Sequence, residues 1–223
     1  MSVPTLEGVE ARMVATDRLT TRVLFTGPED GVPVLFLHGN ASSATWWEEN
    51  MLALPQDPSA GSGQGFRGIA LDQRGFGDAD PEKKVDATRG GGDWADDAVA
   101  LLDHLGIDKV HIVGCSLGGY VVWYMLREFP DRFLSAILVD AGSPFGFGGT
   151  KDIEGTPCYD DFAGSGGGLT NPEFLKLLAA GDRGLESQFS PRAAMRALVF
   201  KLPFVPEREE DLLSSMLTIH LGE

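Results

Sequence analysis

Apolar and polar positions alternate in blocks along the first 140 residues, and each block predicts an element. Ala11 to Ala15 and Leu19 to Thr26 are apolar-rich stretches split by a short polar turn at Thr16 to Arg18, the pattern of an antiparallel hairpin. Val32 to Leu37 reads VPVLFL, apolar throughout and bounded by Gly31 and His38-Gly39, which suits a strand covered on both faces. A helix is expected from Ala44 to Leu54, then an exposed loop from Pro55 to Gly65 whose Gly, Ser and Pro content breaks any regular element. Phe66 to Leu71 predicts the next strand. Asp93 to Leu105 carries apolar residues at helical spacing (Ala95, Ala98, Val99, Leu101, Leu102, Leu105) and meets a stop at Gly106. The strand Val110 to Val113, the apolar helix Leu117 to Phe129 and the strand Phe133 to Val139 complete the series. Alternation of this kind argues for right-handed crossovers and a mostly parallel sheet with helices on both faces.

After Asp140 the pattern changes. Nine glycines between Ala141 and Asn171 mark a connection. Beyond it, helices are expected at Pro172 to Ala180, Pro191 to Lys201 and Pro206 to Ile219, each opened by a proline suited to a first turn. No strand is expected there. The division is therefore a core over residues 1–140 and a helical segment over 141–223.

Charge and composition narrow the function classes. The 223 residues hold 18 Lys and Arg against 33 Asp and Glu, a net charge of −15, which repels phosphate backbones and anionic lipid surfaces. Nucleic acid and membrane are not expected as partners. No apolar run approaches the roughly 18 residues of a membrane span, and the first residues lack a basic start followed by an apolar run, so the reading is a cytoplasmic protein. Two cysteines, Cys115 and Cys158, make neither a disulfide framework nor a zinc site. No metal and no organic cofactor is expected.

The chemistry-bearing signal is Gly114-Cys115-Ser116-Leu117-Gly118, a G-x-S-x-G. In a chain with 29 glycines the pentapeptide alone is weak, but here it joins a buried strand to an apolar helix. In that context Ser116 occupies a tight turn that lifts its hydroxyl off the sheet edge. The blander alternative is a structural serine in a strand-to-helix turn. His38-Gly39-Asn40-Ala41 follows the strand VPVLFL, where the Asn40 amide can point at the same spot as the Leu117 amide. Two such N–H donors would stabilise the oxyanion of a tetrahedral intermediate. His38 itself reads as a hydrogen-bonding anchor of that loop rather than a base.

With these residues in place the chain resembles the N-terminal part of a cap-containing serine α/β-hydrolase. The resemblance rests on Leu37-His38-Gly39-Asn40, on Asp72-Gln73-Arg74-Gly75-Phe76-Gly77 with Asp80, on the Gly114 to Gly119 elbow and on Ile137-Leu138-Val139-Asp140. It implies Ser116 as nucleophile, Asn40 and Leu117 as backbone oxyanion donors, a structural turn at Asp72, Arg74 and Asp80, and a helical cap from residue 141. Serine at position 116 speaks against the dehalogenase and epoxide-hydrolase branches, which use a carboxylate nucleophile.

The family order places an acid and then a histidine after the nucleophile. Only His220 follows Ser116, near the end of the sequence; His104 and His111 precede it on a helix and a strand. Asp140 could orient a histidine, although the usual acid follows a further strand. These departures lead to the expectation that the C-terminal strands of the fold, with the acid and the base, are missing from this chain, and that a longer chain or a second polypeptide segment completes it. The cap aromatics Phe145, Phe147, Phe162, Phe174, Phe189, Phe200 and Phe204 either form the cap's own core or line a pocket; Trp46 and Trp47, just after the oxyanion loop, are the better pocket candidates. The expected substrate is a small molecule with an apolar portion, an ester, a lactone or a similar acyl compound. A carbon–carbon bond hydrolase, an aminopeptidase-like amide hydrolase and a non-catalytic binding relative remain as alternatives.

Overall fold

The computed structural model describes residues 3–55, 65–142, 156 and 171–221. Six strands form one sheet: β1 (Glu10–Ala15), β2 (Thr20–Thr26), β3 (Val32–Leu37), β4 (Phe66–Leu71), β5 (Val110–Cys115) and β6 (Phe133–Val139). Their order is β1-β2-β4-β3-β5-β6. The β1–β2 and β2–β4 pairs are antiparallel, while β4–β3, β3–β5 and β5–β6 are parallel. The hairpin and the parallel series expected from the pattern are both present, and β5 runs on to Cys115, directly up to the elbow.

Burial explains the continuous apolar runs. Leu35 and Leu37 of β3 pack on one face with Val23, Phe25, Ile69, Leu71 and Ile112, beneath α2 (Gly92–His104) and α3 (Leu117–Glu128). Val34 and Phe36 face the other way, joining Leu24, Ala70 and Val113 under Ala44, Trp47 and Met51. Both faces of the central strands are therefore apolar and covered. α2 stops at Gly106, whose φ of +69° is a left-handed conformation that glycine adopts without penalty.

The helix expected over Ala44–Leu54 is instead a 3-10 turn, Ala44–Trp47, followed by the short α1 (Glu48–Leu52). The Ser43 side chain accepts the Thr45 N–H and so caps the tight turn. Among the described residues after Gly142 there are helices and no strand: α4 (Pro172–Ala179), α5 (Pro191–Ala194) and α6 (Glu209–Met216). Pro172 and Pro191 each occupy the first turn, behind Asn171 and Ser190 as capping side chains. The helix expected through Lys201 changes at Met195–Val199 into a π-turn and ends there, and the last helix is shorter than expected because α6 begins only at Glu209.

These helices share a small core of Leu178, Met195, Leu213 and Met216, against which Ala41 and Trp46 of the central unit also pack. Glu209 at the start of α6 binds Arg192 and Arg196 and draws α5 and the π-turn onto α6. Phe145, Phe147, Phe162 and Cys158, and most of the glycine-rich connection, lie outside the described residues.

β6 is an edge strand. Among the described residues nothing pairs with its outer side, and Leu134, Ile137 and Val139 are 51%, 56% and 43% exposed. Among the described residues no helix is long and apolar enough to cross a membrane.

Candidate active site

The elbow is built by strain and by the absence of side chains. Ser116 sits between the last residue of β5 and the first of α3 with φ 51° and ψ −111°, a left-handed backbone that a non-glycine residue adopts only where its surroundings hold it. Those surroundings are three backbone hydrogen bonds. The Ser116 N–H donates to the Val139 carbonyl at 3.0 Å, and the Ser116 carbonyl accepts from Tyr120 at 3.0 Å and from Gly142 at 3.1 Å.

The glycines let α3 close onto the sheet. A Cβ on Gly118 would overlap the Leu37 carbonyl, one on Gly114 would stand 2.5 Å from the Gly118 oxygen, and one on Gly119 would stand 2.5 Å from the Ala141 Cβ. Any side chain at these positions would push the helix off the strand end and relax the turn. Ser116 is partly exposed, and no hydrogen bond holds its hydroxyl among the described residues.

Leu117, the first residue of α3, is buried, and its N–H has no intrahelical carbonyl to bind, as at any helix start. The loop after β3 lies against the same point. A Cβ on Gly39 would be 3.3 Å from the Ser116 Cβ and 3.9 Å from its hydroxyl oxygen, so this backbone lies close against the nucleophile and a side chain here would crowd it. Asn40 follows on the exposed side, with its side-chain oxygen accepting the Ala41 N–H at 2.9 Å, and Ala41 itself has φ 47°.

His38 is the buried anchor of this loop. Its Nε2 accepts the Gln73 N–H at 3.0 Å and its Nδ1 faces the Gly39 carbonyl at 2.8 Å. A backbone N–H can only donate and a carbonyl can only accept, so the ring is neutral with its proton on Nδ1. Burial pushes its pKa below the usual histidine value. Phe76 closes over the ring edge to face at 5.2 Å.

The Asp72–Asp80 segment is architectural. Buried Asp72 accepts the N–H of Ala44 and of Asp78, each at 2.9 Å, and pairs with buried Arg22 at 3.2 Å. Arg74 binds both oxygens of Asp97 on α2, at 2.8 and 2.7 Å, and Asp80 N–H donates to Thr20.

Neighbouring tryptophans separate. Trp46 faces the C-terminal helices and stacks on Phe200 with ring centres 6.1 Å apart. Trp47 turns the other way, into the core beside Phe36 at 5.1 Å, and is only 9% exposed. The expectation that Trp47 lines a pocket is therefore corrected: the 3-10 turn aims it at the sheet. Cys115 is half-buried against the same core, and burial, with Asp140 nearby, pushes its thiol pKa up.

None of the four histidines hydrogen-bonds Ser116. His38 is committed to Gly39 and Gln73, His111 to Ser135 at 2.7 Å, and His104 lies on α2. His220 has its Nε2 on the Gly77 carbonyl at 3.2 Å and its N–H on the Gly75 carbonyl at 2.8 Å, docking the last described residues onto the Gln73–Gly77 turn. Sequence reasoning missed Ser42, whose hydroxyl donates to the Gly39 carbonyl at 2.8 Å, and Glu48, which joins the N-terminal segment to Arg208. Ser42 stands four residues after His38, a spacing that means nothing until the loop is seen to curl.

A mixed sheet with a strained serine at the strand-to-helix turn of its central crossover, faced by a glycine loop from the neighbouring strand, defines the α/β-hydrolase architecture. The alpha/beta hydrolase fold family profile matches residues 32–159, and the chain belongs to that family. Over 127 residues it is 35% identical to Epoxide hydrolase 2 of Siraitia grosvenorii, covering 57% of this chain and 37% of that protein. Over 125 residues it is 33% identical to the uncharacterized carboxylesterase nap of Bacillus subtilis, covering 56% and 38%. The matched part thus spans well under half the length of these two relatives. A Vigna radiata epoxide hydrolase mutant superposes with a TM-score of 0.51 at 29% identity, over 61% of this chain and 40% of that one. A crystal structure of a Bacillus subtilis protein matches 94% of this chain and 62% of its own with a TM-score of 0.57; at 24% identity this likeness speaks for the fold alone.

Proposed function

We propose that the protein is a serine hydrolase that cleaves a carboxylic ester, a lactone or a similar acyl bond through an acyl-enzyme on Ser116. In this reading the Ser116 oxygen attacks the acyl carbon while a base takes its proton. The oxyanion that forms is received by the N–H groups of Asn40 and Leu117, the carbon–oxygen bond to the leaving group breaks, and the leaving alkoxide takes the proton. Water then repeats the sequence and releases the acid. The observation that carries the reading is the Ser116 backbone, φ 51° and ψ −111° at the N-terminus of α3, a strained conformation held at the point where the loop after β3 comes against it.

The base and the acid are assigned to chain that adds to the free edge of β6, whether in the same polypeptide or in a second one. Support comes from that strand's outer side, unpaired among the described residues, from the exposure of Leu134, Ile137 and Val139, from the partners that His38, His111 and His220 bind elsewhere, and from the place of His104 on α2. The helices after residue 171 act as a cap, and Trp46 with Phe200 forms an apolar wall suited to an apolar part of a small-molecule substrate. Relatives include proteins named as an epoxide hydrolase and as a carboxylesterase; a serine at position 116 favours the second chemistry.

The test is a fluorophosphonate probe applied to the whole protein. Labelling at Ser116 that disappears in Ser116→Ala supports the enzyme. A folded protein that stays unlabelled points to a ligand-binding relative, the reading that the absence of a histidine on Ser116 favours.

A further inference from the structure

The carbonyl of Gly39 is held by two donors on its buried side. One is His38 Nδ1–H at 2.8 Å and the other is the Ser42 hydroxyl at 2.8 Å, with the two donors 3.2 Å from each other. His38 is in turn fixed from behind by Gln73, which donates its backbone N–H to Nε2 at 3.0 Å and its side-chain amide to the His38 carbonyl at 2.7 Å. His38, Ser42 and Gln73 are all at most 5% exposed, so no water competes for these bonds. In a trans peptide the carbonyl of one residue and the N–H of the next point in opposite directions. Two donors that pull the Gly39 oxygen inward therefore turn the Asn40 N–H outward, to the side where Gly39 lies against Ser116.

We infer that His38 and Ser42, backed by Gln73, form a clamp that sets the orientation of the Gly39–Asn40 peptide and so aims the Asn40 N–H at the oxyanion. This rests on the serine-hydrolase reading for its purpose, but its geometry is independent of it. Ala41, at φ 47°, puts a left-handed turn one residue beyond the clamped peptide. Gly39 brings no side chain to the near end of that peptide, so hydrogen bonds rather than side-chain bulk hold its orientation. His38, Ser42 and Gln73 touch neither the nucleophile nor the substrate in this account; they are positioning residues.

Two measurements on the full protein separate the clamp from the reading beneath it. In protein carrying 15N-labelled histidine, the His38 resonances, identified by their loss in His38→Asn, are expected to show a protonated Nδ1 and a bare Nε2 at neutral pH. An Nε2–H tautomer or an imidazolium overturns the clamp whether or not the protein is an enzyme. The second measurement is the rate of fluorophosphonate labelling and of ester turnover. Removing a whole oxyanion donor costs roughly 100- to 1000-fold in kcat, so Ser42→Ala, which loosens a donor, is expected to slow both rates about tenfold with KM within about twofold. Ser42→Thr, which restores the hydroxyl, is expected to recover them. Wild-type rates in Ser42→Ala overturn the clamp and leave the serine-hydrolase reading standing. A wild-type protein never labelled at Ser116 overturns that reading, while the tautomer still decides the geometry.

Discussion

Arg208, just before α6, reaches the fully buried carboxylate of Glu48 on α1, with Nη1 to Oε2 at 3.0 Å. The same oxygen accepts the Leu6 N–H at 2.8 Å, and the other carboxylate oxygen has no partner among the described residues. Burial pushes the Glu48 carboxyl up, against the pull of Arg208. Arg208→Met would keep the packing but strand a buried charge, and a stranded partner costs about 3 kcal/mol. Urea unfolding is the measurement. The loss should be larger at pH 8 than at pH 5, because protonation neutralises an unpaired Glu48, and Glu48→Gln in the same chain should recover part of it. An Arg208→Met midpoint equal to wild type at pH 8 would show that this pair does not join the C-terminal helices to the sheet unit.

Gly118→Ala probes the elbow by bulk alone. The added methyl would overlap the Leu37 carbonyl oxygen and come within 2.7 Å of the His38 oxygen, and both are backbone atoms of β3 and of the loop that leads to Asn40. Overpacking of this kind costs on the order of 1–3 kcal/mol. Thermal unfolding should fall accordingly. Because relief comes by moving α3 away from β3, labelling of Ser116 should fall even at temperatures where the variant is fully folded. Retained labelling would mean that the elbow does not depend on this close approach.

The elements visible in the sequence are those whose signal is local. VPVLFL announces a strand buried on both faces because Leu35 and Phe36 each meet a separate core, and Gly114 to Gly119 announces the elbow because its glycines are needed within one turn of chain. Contacts that depend on the sheet order were not legible. His38 meets Gln73 only because β4 lies beside β3, and nothing near either residue encodes that neighbour. Trp46 and Trp47 could not be told apart either, since their opposite directions follow from a 3-10 turn where the apolar spacing suggested an ordinary helix. The base and acid of the proposed reaction left no signal, and no described histidine supplies one.

That separation of the tryptophans gives a paired expectation. Trp47→Ala would empty a site in the core beside Phe36 and Met51 and should cost about 3–5 kcal/mol, with turnover per folded molecule little changed. Trp46→Ala removes the surface on which Phe200 stacks, so KM for an apolar ester should rise by about tenfold while stability falls less. Chemical unfolding and steady-state kinetics with a series of acyl-chain lengths check both. Equal stability losses with no change in KM would place Trp46 in the core it shares with the C-terminal helices and not on a pocket wall.

The neutral, buried His38 should make the fold acid-sensitive in a defined window. Its pKa is lowered from the free value of 6.5 by burial; Asp72 opposes that shift and Arg22 reinforces it. Between the lowered value and 6.5 the unfolded chain binds a proton that the folded chain refuses, so stability is full above pH 6.5 and is lost as pH falls below it. The slope is at most about 1.4 kcal/mol per pH unit. Carboxylates held low by arginines, such as Glu209 and Glu210, have free values of 4.5 and contribute their own losses only at more acidic pH. Unfolding free energies measured from pH 7.5 to 5 should therefore decline in wild type. In His38→Asn, whose side chain keeps a donor for Gly39 but cannot be protonated, the decline should be lost. A wild-type slope that survives in His38→Asn would assign the acid sensitivity to another group and remove the support it lends to a neutral His38.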